Sequence, residues 1–189
     1  MAILVAGLIL FLGIHLVPAA PTVRAALAES WLGENRYKAA FSLVSALGLV
    51  LIVAGYALSD DRTRVFAPVP AARALAPYAM VVSFILFAAA NMRGHLRRVF
   101  RHPMLLGLLM WSTVHLLANG DRTGTVLFGA FALYALVDLV SAIGRGAVKS
   151  FEPTVKHDVI AVAGGTAVAL VVMTFHRLLF GMPVVPFSI

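Results

Sequence analysis

The chain alternates long apolar runs with short polar segments, and this pattern predicts a set of membrane-spanning helices. Each run is bounded by charged residues, glycine or proline. A transmembrane α-helix needs about 20 predominantly apolar residues, and the runs come close to that length. We therefore expect six spans, at about 2–19, 39–58, 74–91, 103–119, 124–143 and 157–180.

The composition supports this interpretation and excludes several kinds of chemistry. Of the 189 residues, 61% are hydrophobic and only 12% are charged, which is too few charges for a soluble domain of this size. We expect an all-α integral membrane protein, a bundle of six transmembrane helices forming a single membrane domain over residues 1–189. The chain has no cysteine, which excludes disulfides, thiolate metal ligands and c-type haem attachment.

The distribution of basic residues predicts the orientation of the helices. The net charge of +7 could indicate a nucleic-acid partner, but Lys and Arg occur in the gaps between apolar runs. The first, third and fifth loops carry most of them, so these loops are expected in the cytoplasm and both termini on the outer side of the membrane. The partner expected from charge is the lipid bilayer, not nucleic acid. The most basic segment, MRGHLRRVFRHP (92–103), is interpreted as an anchor for anionic headgroups.

Few ionisable side chains fall within the predicted spans. Apart from His157 and Asp158 at the very start of the last span, the charged and imidazole groups are His15, His115 and Asp138, with His176 and Arg177 near the end of that span. A polar side chain in a bilayer is costly, so it usually faces the interior of the bundle and has a partner. For Asp138 we expect a salt bridge to a loop arginine.

His115 lies deep in the segment 101–120, which begins with a charged pair and Pro103 and ends at Asn119-Gly120. Helical spacing puts His115 on one face with other side chains of the segment, namely Met104, Leu108, Trp111, Ser112 and Asn119. His15 lies in the first span, with Gly7, Leu8 and Phe11 on or near its face. Both histidines fall in the middle third of a membrane core about 30 Å thick.

Two imidazoles at this depth favour an iron porphyrin over other metal centres. Haem takes axial His ligands, whereas di-iron sites in helix bundles need several Glu, and no predicted span contains Glu. The alternative is that each histidine only donates a hydrogen bond to a nearby carbonyl or hydroxyl. Spacing leaves both interpretations open.

Several segments resemble the NnrU family, small membrane proteins associated with bacterial denitrification. They are GLILFLGIHLVPA (7–19), LGENRYKAAFSLVSALGLVLIVAGY (32–56), RHPMLLGLLMWSTVHLLANGD (101–121), LFGAFALYALVD (127–138) and FHRLLFG (175–181). The family is related to the haem-dependent zeta-carotene isomerase of plants and cyanobacteria. That enzyme has a first-span His, and an RHP motif followed thirteen residues later by a second His; the matching positions here are His15, His102 and His115.

The resemblance implies that His15 and His115 bind haem b, with Phe11, Leu108 and Trp111 packing the porphyrin. It also implies a role in nitrite and nitric oxide reduction, together with the reductase components. Two alternatives stay open: a haem-dependent cis–trans isomerase acting on a polyene such as zeta-carotene, and a cofactor-free membrane scaffold. The roles of His102, His176 and Asp138 are not assigned.

Overall fold

The computed structural model describes residues 1–29, 33–61 and 63–185. The described residues are about 80% helical and contain no β-strand. In chain order the helices are α1 (Ala2–Leu16), α2 (Pro21–Leu27), α3 (Gly33–Ala57), α4 (Pro70–Ala90), α5 (His95–Phe100), α6 (Pro103–Asn119), α7 (Arg122–Gly144), α8 (Val155–Thr174) and α9 (His176–Phe180). The all-helical prediction is confirmed.

Within the described residues, five helical segments are long and apolar enough to cross a membrane, and they overlap five of the six predicted spans. They are Ala2–Ala19, which extends α1 by a 3-10 turn, and helices α3, α4, α7 and α8. The remaining predicted span, 103–119, is α6, an apolar helix of 17 residues. At about 1.5 Å per residue it is about 25 Å long, somewhat short for a core of about 30 Å. The sixth crossing therefore stays a prediction.

Some helix boundaries differ from those expected. The last apolar run is interrupted at Phe175, so α8 ends at Thr174 and His176 begins the separate helix α9. Helix α3 begins at Gly33, before the expected position 39. The basic segment is also partly helical, because it contains α5.

The chain divides into two compact units. The first consists of Met1–Ala67 and Gly120–Tyr134, and the second of Pro68–Asn119 and Ala135–Ile189. The single domain over residues 1–189 stays a prediction.

In the first unit, α1 packs against α3 at distances that only glycine permits. A Cβ on Gly7 would lie 2.6 Å from the Ile52 backbone nitrogen, and one on Gly55 would collide with the Leu4 backbone. Leu4 is fully buried. Gly48 and Gly55, seven residues apart on α3, form a close-packing stripe, since a Cβ on Gly48 would meet Phe11.

In the second unit, α4 packs against both α6 and α8. The Ser83 hydroxyl of α4 donates a 2.7 Å hydrogen bond to the Gly107 carbonyl of α6. On α8, a Cβ on Gly165 would lie 2.5 Å from the Ile85 Cα. Neighbouring small residues of α8 are also buried, among them Ala161 and Ala169. Their small side chains allow the backbones of α4 and α8 to approach closely.

Candidate functional site

His15 lies in the last turn of α1, in the first unit, and is half-buried. Its Nδ1 is 2.6 Å from the carbonyl oxygen of Phe11, one helical turn earlier. A carbonyl can only accept, so Nδ1 carries the proton and donates it. In the neutral ring the lone pair is then on Nε2, the atom that binds a metal in this tautomer.

Aromatic rings surround His15 from three helices. The Phe11 ring centroid is 4.3 Å from that of the imidazole, Phe41 of α3 is at 5.0 Å, and Tyr134 of α7 is at 6.5 Å. Sequence reasoning found Phe11 through its spacing on α1. It missed Phe41 and Tyr134 because neither shares a helix with His15.

Two side-chain hydroxyls of α3, one on each side of Phe41 in the sequence, are buried. Tyr37 Oη and Ser45 Oγ make no hydrogen bond within the described part of the chain. Both lie one turn from Phe41, which contacts His15. A buried hydroxyl without a partner costs free energy, so a polar group supplied by a bound molecule or water would be stabilised here.

His115 of α6, in the second unit, repeats the local arrangement of His15. Its Nδ1 is 2.8 Å from the Trp111 carbonyl oxygen, so this ring too is protonated on Nδ1 when neutral. The Trp111 ring lies 5.2 Å from the imidazole. The Asn119 side chain donates a 2.8 Å hydrogen bond to the His115 carbonyl. In each unit, therefore, the residue four positions before the histidine is aromatic. Its ring contacts the imidazole, and its backbone carbonyl accepts the hydrogen bond from Nδ1.

The predicted α6 face is not uniformly buried. Ser112 is fully buried and its hydroxyl donates to the carbonyl of Leu108, at 2.7 Å, and Leu108 itself is half-buried. Met104 is 44% exposed. The middle of the face thus lies against protein, whereas its first turn is open.

The two predicted iron ligands lie in different units, His15 in the first and His115 in the second. Their pairing across one metal stays a prediction, as do the contacts of Phe11, Leu108 and Trp111 with a porphyrin. Within the described residues, no group of three or more His, Asp and Glu side chains is placed to hold a metal ion.

Other ionisable residues have protein partners. The predicted salt bridge of Asp138 is confirmed, since its carboxylate is 3.8 Å from the Arg145 guanidinium. His176 donates from Nδ1 to the Met182 carbonyl at 2.7 Å. Asp158, which the sequence did not single out, accepts hydrogen bonds from the backbone N–H groups of His95 and Leu96.

Comparison with known proteins agrees with the resemblance seen in the sequence. The family model described as NnrU protein matches residues 3–184, nearly the whole chain. Searches of curated proteins and of solved structures found no match. Because the family model covers almost every helix described above, the chain belongs to the NnrU family.

Proposed function

We propose that this NnrU protein binds haem b in the bacterial inner membrane and supports the reduction of nitrite and nitric oxide. His15 and His115 would bind the haem iron, and both termini would lie in the periplasm. One observation carries the proposal: both histidines donate Nδ1–H to the carbonyl four residues earlier in their own helix. This arrangement fixes the same metal-binding tautomer in both rings.

The donor set suits haem iron. Histidine ligands of metals usually donate their second ring N–H to a carbonyl or carboxylate, which fixes the ring orientation and raises its basicity. Here the Nδ1–H of His15 donates to the Phe11 carbonyl, and that of His115 donates to the Trp111 carbonyl. The chain offers no thiolate, so imidazole is the strongest iron ligand available within the helices.

The surroundings of the histidines suit a flat apolar group. Phe11, Phe41 and Trp111 present aromatic rings beside the imidazoles, and Leu108 adds an aliphatic surface one turn before Ser112. Such side chains exclude water and pack against a porphyrin. The buried hydroxyls of Tyr37 and Ser45 could each donate to a polar substituent of the bound group.

When bound, haem would supply one-electron transfer or the binding of a small gas such as nitric oxide. The chain's own contribution is to hold both imidazoles in one tautomer and to keep water from them. Because a change in hydrogen bonding to the ligand alters the electron density at a metal, the two i−4 carbonyls are also expected to influence its reduction potential.

Visible spectroscopy of the purified protein tests haem binding. Expression with an adequate haem supply should give a Soret band, and reduction should give sharp α and β bands. His15→Ala and His115→Ala should each lower haem retention by about tenfold or more, since even loss of an outer-shell partner costs 10–100-fold in metal affinity. His157→Ala is the matched control, because that ring hydrogen-bonds with the Thr154 hydroxyl at the exposed start of α8. A colourless, folded wild-type preparation would contradict the proposal and leave the scaffold alternative.

Nitrogen NMR of the haem-free protein tests the tautomers directly. With ¹⁵N-labelled histidine, His15 and His115 are expected to carry the proton on Nδ1 when neutral. Single His→Gln variants assign the signals. A proton on Nε2 in either ring would remove the observation on which the proposal rests.

The physiological role needs a separate experiment in a denitrifying host. Deleting the gene should slow the consumption of nitrite or nitric oxide, and wild-type protein should restore it, whereas His15→Ala and His115→Ala should not. Normal reduction in the deletion strain, together with conversion of a polyene by cells that lack any other isomerase, would support the isomerase alternative instead.

A further inference from the structure

The short helix α5 and the residue after it present an exposed surface that mixes cationic and apolar side chains. Val99 is 71% exposed and Phe100 is 43% exposed. Both flanking arginines are exposed as well. We refer to this surface as the α5 edge, formed by Arg98, Val99, Phe100 and Arg101. An exposed valine and phenylalanine between two arginines resemble a surface made for a partner with both apolar and anionic parts.

The rest of the second unit fixes the position of α5. The Asp158 carboxylate of α8 accepts hydrogen bonds from the backbone N–H groups of His95 and Leu96, and it contacts the His95 ring at 2.7 Å. Gly94 leaves room for this approach, because a Cβ there would collide with the carboxylate. Arg97 lies over the Phe151 ring at 5.3 Å. Both the start and the middle of α5 are therefore held by protein, and the edge is the part that remains exposed.

The backbone at Arg101 gives an independent indication that the edge has a function. Arg101 has φ 57° and ψ −51°, a positive-φ conformation outside the left-handed helical region that is costly for a residue with a side chain. It is the only non-glycine residue with positive φ in the described chain. Glycine would adopt this conformation without strain. Strain that persists at an exposed arginine suggests that the side chain contributes something glycine cannot.

The charges near α5 identify the kind of partner. The basic segment 92–103 has four arginines and no acidic residue. The nearby carboxylate of Asp158 is occupied by the start of α5. Arginine binds phosphate through paired N–H groups, and short apolar side chains enter the boundary between headgroups and acyl chains. Because α5 connects the end of the membrane-length helix α4 to the apolar helix α6, it lies where a bilayer surface is expected.

We propose that the α5 edge binds the phosphate groups of anionic phospholipids at the membrane surface. Arg98 and Arg101 contact the phosphates, while Val99 and Phe100 insert among the first methylene groups. Asp158 orients the edge through its hydrogen bonds to α5. The proposal needs only the membrane location of the helices and does not depend on haem.

Quenching of a fluorophore on the edge by brominated lipids tests the proposal in the full chain. The protein has no cysteine, so Val99→Cys gives a unique attachment site for a small apolar fluorophore. The labelled protein is reconstituted in phosphatidylcholine vesicles that contain either brominated phosphatidylglycerol or brominated phosphatidylcholine. The apparent affinity obtained from the quenching should be about tenfold or more higher for the anionic lipid than for the zwitterionic lipid. Each arginine contributes about fivefold, because a basic side chain near an anionic surface is worth about 1 kcal/mol.

Variants separate lipid binding from folding. Arg98→Gln with Arg101→Gln should abolish the preference, whereas the exposed Arg64→Gln, in the loop before α4, should leave it unchanged. Arg101→Gly should lower the preference about fivefold while the melting temperature stays the same or rises, since glycine relieves the backbone strain. Equal quenching by both lipids would overturn the proposal. A preference that survives the loss of both arginines would also overturn it. The same holds for a label that neither lipid quenches, because the edge would then be covered by protein and not by lipid.

Discussion

The first and second units hold a helical histidine in the same way but differ in how their helices are secured. In both units an aromatic residue four positions earlier contacts the ring, and its carbonyl accepts a hydrogen bond from Nδ1. The first unit relies on close contact between α1 and α3 and on a buried 2.8 Å hydrogen bond between the Ser59 and Thr123 hydroxyls, with the carboxylate of Asp61 in an exposed loop. In the second unit the Ser83 hydroxyl donates a hydrogen bond to a neighbouring helix, and the Asp158 carboxylate accepts hydrogen bonds from another. The local geometry of the histidines is thus independent of the way in which each unit is packed.

The hydrogen-bonded arrangement of each histidine is a property of a single helix. A ring on an α-helix reaches the carbonyl one turn earlier whenever the rotamer directs it there. It needs no particular neighbour. The stability of each unit, in contrast, depends on contacts between helices, and substitutions can change the two separately.

The largest expected effect concerns the glycine contacts that both units share. Gly165→Val should destabilise the second unit by about 3 kcal/mol or more, because its Cβ would lie 2.5 Å from the Ile85 Cα and neither backbone can easily move. Gly164→Val is the matched control, since nothing lies within 4 Å of a Cβ there and the cost in helix propensity is the same. In the first unit, Gly55→Val and Gly13→Val form the equivalent pair. Unfolding of purified protein by denaturing detergent measures the difference, and equal losses within a pair would contradict it.

The second prediction separates the units through their carboxylates. Asp158→Ala should lower the free energy of unfolding measurably, because it leaves the N–H groups of His95 and Leu96 without their acceptor. Asp61→Ala should lower it less, since the contacts of Asp61 to Thr63 and Arg122 are exposed. Amide hydrogen exchange supplies a second readout: exchange at α5 should accelerate in Asp158→Ala alone. Unchanged exchange at α5 would show that Asp158 does not hold this helix.

A smaller effect is expected from the hydroxyl between α4 and α6. Ser83→Ala should cost about 0.6 kcal/mol, a typical value for a hydrogen bond between membrane helices. Ser112→Ala is the control, because this serine is equally buried but bonds to the Leu108 carbonyl within its own helix. The two variants are compared in the same unfolding assay. An effect of Ser112→Ala as large as that of Ser83→Ala would mean that burial matters here more than the interhelical bond.

The smallest expected effect is the pH dependence of the first unit. Hydrogen bonds from the Thr63 side chain and backbone, followed by the charge of Arg122, hold the pKa of Asp61 below its ordinary value. A lowered pKa means that the folded state favours the carboxylate. The contribution to stability is therefore present above the ordinary pKa and is lost as the pH falls through the lowered one.

Comparison of wild type with Asp61→Asn from about pH 6 to about pH 3 checks this. The wild-type advantage should be small at the upper pH and should decrease as the pH falls towards the lower one. An advantage that grows as the pH falls would have the wrong sign and would contradict the assignment of the shift.

Much of the helical organisation could be predicted from the sequence. The apolar runs located every helix of membrane length, and the polar gaps located the connections. The i−4 aromatic residues were visible as Phe11 before His15 and Trp111 before His115. The salt bridge of Asp138 followed from the cost of leaving a carboxylate alone in an apolar segment.

Other features depend on the tertiary structure. The sequence could not show that Gly165 touches another backbone while Gly164 does not, because lipid and protein interior are both apolar and leave the same hydrophobic pattern. It could not show Phe41 beside His15, or Asp158 at the start of α5, since these partners are far apart in the chain.

The helical segments, the position of each histidine along its helix and the family could all be found from the amino-acid sequence. These features depend only on local composition and residue order. Only the tertiary structure decided which glycines allow helix contact, which aromatic rings surround His15 and how α5 is held. Those features depend on the rotation of each helix about its axis, which a uniformly apolar run does not encode.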